Sequence, residues 1–181
     1  MGTQDGPLSM LQLLGPPSVT ADEAALSAVR LGEDFRLPAS YRDFARNCGY
    51  GLLCDMFYIY IPKTGGDDLA QRSNTLSEVL LDGVDGEYKE FTEYEPDGSP
   101  ELFKRLIPFG TTKNGAMVAW DPDEKTGPDE YMIYVVASKL LACRRAAPDL
   151  YDFIRRCLDS RVRDLLGQGA LPLPATFKPT G

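Results

Sequence analysis

Hydrophobic and polar residues recur along this chain with two periods, and the switches between them mark out its elements. Thr20-Ala21-Asp22-Glu23 has the form of a capping box, in which the threonine hydroxyl takes the Glu23 amide and the glutamate reaches back. It predicts a helix to about Leu31 with Ala25, Leu26 and Val29 inward. Leu37-Pro38 opens a second helix, since proline is tolerated in the first turn. Tyr41, Phe44, Ala45 and Cys48 share one face of it at helical spacing, and Gly49 and Gly51 close it. Met56 to Ile61 is aromatic and β-branched, stops at Pro62 and predicts a strand. Phe57, Ile59 and Ile61 line one of its faces; Met56, Tyr58 and Tyr60 line the other.

A helical pattern returns from Asp67 to about Asp82, through Leu69, Leu76, Val79 and Leu80. Leu106 to Gly110 reads as a short buried segment, and Ala116 to Trp120 and Tyr131 to Val136 as strands. Their connector of nine or ten residues, rich in Asp, Pro and Gly, suits an antiparallel hairpin with a long loop. Leu140 to Cys143 is placed as a further short strand. A last helix starts at Pro148, carries Leu150, Phe153, Ile154, Cys157, Leu158, Val162, Leu165 and Leu166 on one stripe, and ends at Gly167. This order gives an α+β fold in a single domain over residues 19–166. Residues 1–18 and 167–181, with their glycines and prolines, read as an irregular lead-in and tail, Met10 to Leu14 forming one apolar turn. Leu37, Tyr41, Phe44, Ile59, Trp120, Ile133, Phe153 and Ile154 are the expected core.

Composition then narrows the chemistry. The chain has 181 residues and no histidine, which excludes Ser-His-Asp and Cys-His catalysis and imidazole-ligated metals. Neither Gly-rich phosphate motif is present. Cys48, Cys54, Cys143 and Cys157 form no Cys-x-x-Cys pair and read as reduced thiols. No apolar run has the length of a membrane span, no secretory signal opens the chain, and Gly6 stands where an acylation signal wants Ser or Thr. The expectation is a cytoplasmic protein without cofactor or metal.

Charge points to a partner. The net charge is -8, which disfavours nucleic acid and suits a basic protein. It is concentrated: Asp82 to Glu101 sets eight carboxylates against Lys89 alone, and Asp121 to Glu130 sets five against Lys125. Tyr88, Phe91 and Tyr94 recur every third residue in the first stretch, as core-facing staples or as interface anchors steered by the surrounding acids. The plainer alternative is a solvated linker. Tyr58 and Tyr60 carry the same ambiguity and read as core or half-core. Candidate partner-binding residues are Asp82, Asp85, Glu87, Tyr88, Glu90, Glu93 and Tyr94, with Asp121, Asp123 and Glu124 from the hairpin. As catalytic groups the hairpin acids would need a glycosidase-like pair, one with a raised pKa. As a calcium loop, Asp121-Pro122-Asp123-Glu124 lacks the alternation and the glycine.

The order of motifs resembles the SUKH superfamily. Leu37-Pro38 with Tyr41-Arg42-Asp43-Phe44 and Gly49-Tyr50-Gly51 looks like its opening. Ile59-Tyr60-Ile61-Pro62, Ile107-Pro108-Phe109-Gly110 and the strand ending Trp120-Asp121 look like its middle, and Ala147 to Ile154 like its closing helix. The resemblance covers about residues 20 to 160 and departs in the acidic stretch and the tail. It implies a bent, mostly antiparallel sheet with helices packed against it and no shared catalytic centre. It further implies a bacterial immunity protein that occludes a cognate secreted toxin, a nuclease or deaminase, or else a regulatory scaffold of the SMI/KNR type. A carboxylate-dependent hydrolase is the alternative from another class.

Overall fold

A computed structural model of the chain describes residues 6–180; residues 1–5 of the lead-in, with the Met1-Gly2 start, lie outside the described residues. Eight strands form one open sheet in the order β1-β8-β2-β3-β4-β5-β6-β7. Their ranges are β1 Gln12–Leu13, β2 Gly51–Leu53, β3 Phe57–Ile59, β4 Ile107–Thr112, β5 Met117–Gly127, β6 Glu130–Val136, β7 Cys143–Ala147 and β8 Thr176–Pro179. Every pairing is antiparallel except β1 with β8. The helices are α1 Glu23–Ala28, α2 Ala39–Asn47, α3 Leu69–Asp85, α4 Pro100–Arg105, α5 Leu150–Cys157 and α6 Val162–Leu166. The chain is thus a single α+β domain with a mostly antiparallel sheet.

Every expected core residue is buried: Leu37, Tyr41, Phe44, Ile59, Trp120, Ile133, Phe153 and Ile154. Trp120 organises the centre. It stacks on Phe109 at 3.9 Å between centroids and takes the Tyr41 ring edge-on at 5.0 Å. Phe153 meets Phe57 edge-on at 5.2 Å, which binds α5 to β3. Phe57, Ile59 and Ile61 are all fully buried and form the core face. On the other face Met56 and Tyr58 are half-buried, and Tyr60, just past the end of β3, is buried as well.

Helix ends depart from expectation for local reasons. Asp22, not Thr20, caps α1 by accepting the Ala25 amide at 2.8 Å. Glu23 does not complete the capping box because it ion-pairs with Arg42 and Arg46 of α2. Pro38 supplies no side-chain cap to α2, so the hairpin does: the Ala39 amide donates to the Asp129 carbonyl at 2.9 Å, and the Ser40 amide to Glu130 Oε1 at 2.7 Å. Ser40 Oγ also donates to Glu130 Oε2 at 2.9 Å and accepts the Leu150 amide at 3.0 Å, tying three elements at one buried hydroxyl. The long last helix is two helices. Asp159 takes the Arg161 amide and guanidinium and starts a new turn, which the continuous apolar stripe concealed.

The sheet is larger than the sequence suggests. β2 was hidden among the closing glycines of α2. The hairpin loop is short, because β5 resumes pairing at Lys125 after an irregularity spanning Pro122. The last strand before α5 starts at Cys143, since Lys139 and Leu140 turn with positive φ. The tail is not irregular throughout: β8 inserts between β1 and β2 and buries Phe177 against Phe44. Gly51 permits this, since a Cβ there would lie 2.3 Å from the Lys178 carbonyl oxygen. In the lead-in, the apolar turn falls at Pro7–Met10 and is followed by β1.

Candidate partner-binding surface

The acidic stretch is ordered and fixed to the edge of the sheet. α3 ends at Asp85, a 3-10 turn follows at Lys89–Phe91, and the chain then runs beside β7. The Glu93 amide donates to the Leu140 carbonyl, the Cys143 amide to Glu95, and the Asp97 amide to Cys143, each at 2.9 Å. Asp97 Oδ2 accepts the Arg145 amide, also at 2.9 Å. An edge strand with free amides invites pairing with other chains, and residues 93–97 cover this one. Two glycines make the close approach possible. A Cβ on Gly83 would lie 2.2 Å from Leu140 Cδ1, and one on Gly98 would lie 2.6 Å from Cys143 Cβ.

The candidate residues of this stretch divide by exposure. Asp82, Asp85, Glu87, Tyr88, Glu90 and Glu93 all face solvent. Tyr94 does not stand with them; it is half-buried and packs edge-on against Phe103 of α4 at 4.8 Å. Burial, then Asp85 and Glu101, push its hydroxyl pKa up. Phe91, which the spacing sets between the two tyrosines, is exposed instead and lies 6.4 Å from the Tyr88 ring. The aromatic three-residue rhythm is thus one staple and one surface pair.

The hairpin acids have different surroundings. Asp121 is 1% exposed and braces α4 to β5: Arg105 Nε donates to Oδ1 at 2.8 Å and Nη2 to Oδ2 at 2.9 Å. A partner cannot reach it, and it leaves the candidate surface. Asp123 is exposed, with Oδ2 at 3.5 Å from the same Arg105. Glu124 is half-buried between Tyr134, whose hydroxyl donates at 2.9 Å, and the Arg145 guanidinium. Arginines therefore occupy the positions a bound cation would need. Arg145 also joins the two acidic stretches, its side chain on Glu124 and its amide on Asp97. No local spacing in the sequence signals that junction, since Asp97, Glu124 and Arg145 lie far apart in the chain.

The remaining chemistry is muted. Burial pushes the Cys48, Cys54 and Cys143 thiols up to about 12, and Cys157 is raised as well, so these sulfurs stay protonated at neutral pH. Among the described residues, Asp82, Glu87, Glu90, Glu93, Glu95 and Glu101 form no ion pair, whereas Asp85 meets Lys104 at 3.6 Å. No helix among the described residues is long and apolar enough to cross a membrane. The result is a rigid shelf of uncompensated negative charge around two exposed rings. Such a surface suits protein recognition, where charge steers encounter and aromatics supply buried area.

Comparison with known proteins agrees on the family level. The family model described as SMI1 / KNR4 family (SUKH-1) matches residues 20–156. No curated protein and no solved structure gives a significant match.

Proposed function

The chain belongs to the SMI1 / KNR4 family (SUKH-1), and from that premise we propose that it is an immunity protein that binds a cognate secreted toxin and neutralises it by covering the active or substrate site. The toxin is a nuclease or nucleic-acid deaminase whose basic substrate groove accepts the acidic shelf in place of phosphates. One observation carries this reading: Glu87, Glu90 and Glu93, which form no ion pair among the described residues, flank the exposed Tyr88 and Phe91 in a turn that leads into the segment clipped to β7. Preorganised charge of this kind lowers the ordering cost of association. The protein acts in the cytoplasm and performs no turnover itself.

Co-purification with the product of the neighbouring gene tests the proposal, together with rescue of cells that express that product as a toxin. A stoichiometric complex and restored growth are expected. A regulatory scaffold would instead capture a client without toxin activity, and a hydrolase would lose turnover on single Asp or Glu substitution. Either result overturns the immunity reading.

A further inference from the structure

Of the eighteen aromatic side chains, only Tyr88 and Phe91 are exposed, at 69% and 64%; every other ring is buried or half-buried. The pair is mounted firmly. The Phe91 amide donates to the Tyr88 carbonyl at 3.0 Å, and Thr92 Oγ1 donates to the Gly83 carbonyl of α3 at 2.7 Å. The ring centroids lie 6.4 Å apart with planes tilted by 37°. Cation–π contacts form within about 6 Å of a centroid, so one flat cation can touch both rings. Elsewhere such contacts are filled from within the chain: Arg72 lies over Tyr60, Lys63 over Tyr50 and Lys125 over Tyr131. Neither Tyr88 nor Phe91 has a cation of this chain over it among the described residues.

We propose that Tyr88 and Phe91 form a receptor for an arginine side chain of the partner protein, with Glu87 and Glu90 as its carboxylate acceptors. This rests on the immunity reading for the partner's identity, but not for the chemistry. An apolar partner would strip water from Glu87 and Glu90 with only the single Lys89 of this turn to offset two carboxylates, which is costly. A cation replaces that water with charge. Arginine suits the site better than lysine, because its guanidinium is planar, weakly hydrated, stacks on rings and forks onto carboxylates. The shelf thus selects arginine and does more than attract positive charge.

The test uses the full chain and two synthetic peptides of equal length and charge, one alternating Arg and Gly, the other Lys and Gly. Amide chemical shifts are followed at low salt. The Arg peptide is expected to bind about fivefold more tightly than the Lys peptide and to shift residues 87–92. Y88A/F91A should abolish that preference while leaving weak, equal binding of both peptides and unchanged shifts elsewhere. E87Q/E90Q should weaken both peptides. Equal affinities in the unsubstituted protein, or an arginine preference that survives Y88A/F91A, overturns the proposal. A preference that holds in a protein that binds no toxin sinks the immunity reading and leaves the receptor standing.

Discussion

Gly98→Ala probes whether the acidic stretch is held as rigidly as its function requires. The added methyl group would meet Cys143 Cβ at 2.6 Å and the Tyr94 carbonyl oxygen at 2.7 Å. Both are fixed by neighbouring structure, so the clip must shift, at a cost of about 1–3 kcal/mol typical of overpacking. Four hydrogen bonds hold it, from the amides of Glu93, Asp97, Cys143 and Arg145. At a net ~0.5–1.5 kcal/mol each, opening the clip costs about 2–6 kcal/mol, so the substitution removes a large share of the barrier. The open population should rise by roughly 5- to 150-fold, since 1.4 kcal/mol is a factor of ten. Hydrogen exchange reads this directly: those four amides should exchange faster by that factor, and the Trp120 amide only as much as global stability falls. Uniform acceleration across the protein, or none at the four amides, would refute the clip.

Other substitutions test the frame. Phe153→Ala should cost about 3–5 kcal/mol in denaturant unfolding, because Phe153 is fully buried against Phe57. Glu130→Ala should lower stability by about 1–2 kcal/mol through loss of the α2 cap, and Glu130→Gln, which keeps an oxygen acceptor, by less. Burial raises the Glu130 carboxyl pKa against the opposing Ser40 hydrogen bonds. The folded state therefore holds that proton more tightly than the unfolded chain, and the resulting stability is full at low pH and lost as pH rises through the raised value. Thermal melts across the acid range should show that loss, and Glu130→Gln should flatten it. Ending the chain after Pro174 should lower the Tm by several degrees, because it removes the buried Phe177, leaves β1 without its partner and turns β2 into an edge strand held by β3 alone.

How far the sequence could be read depended on the range of each interaction. Tyr41, Phe44 and Cys48 on one face, and Phe57, Ile59 and Ile61 on another, follow local periodicity, and all six are buried. The partners of β2 and β8 lie far apart in the chain, so Gly51 looked like a stop signal although it is where Lys178 approaches. The acidic stretch was legible as charge with a rhythm of rings. Which rings turn outward was not, because Phe103 of α4 captures Tyr94 through a contact no short window contains. Asp121 looked like a surface acid for a similar reason: its arginine sits on another element.

The central claim, that the shelf itself captures the proposed toxin, is tested most directly by the association rate of the unsubstituted protein and of the Glu87→Lys, Glu90→Lys, Glu93→Lys triple variant with the toxin that co-purifies with the chain. These side chains are exposed and form no ion pair among the described residues, so reversal leaves the fold intact while inverting the local field. Exposed charges act over about 8 Å at physiological ionic strength, so the unsubstituted protein should associate fast and with strong salt dependence. The triple variant should associate far more slowly, lose that salt dependence and fail to protect toxin-expressing cells. An unchanged association rate with full protection would contradict the account and place the toxin on another surface.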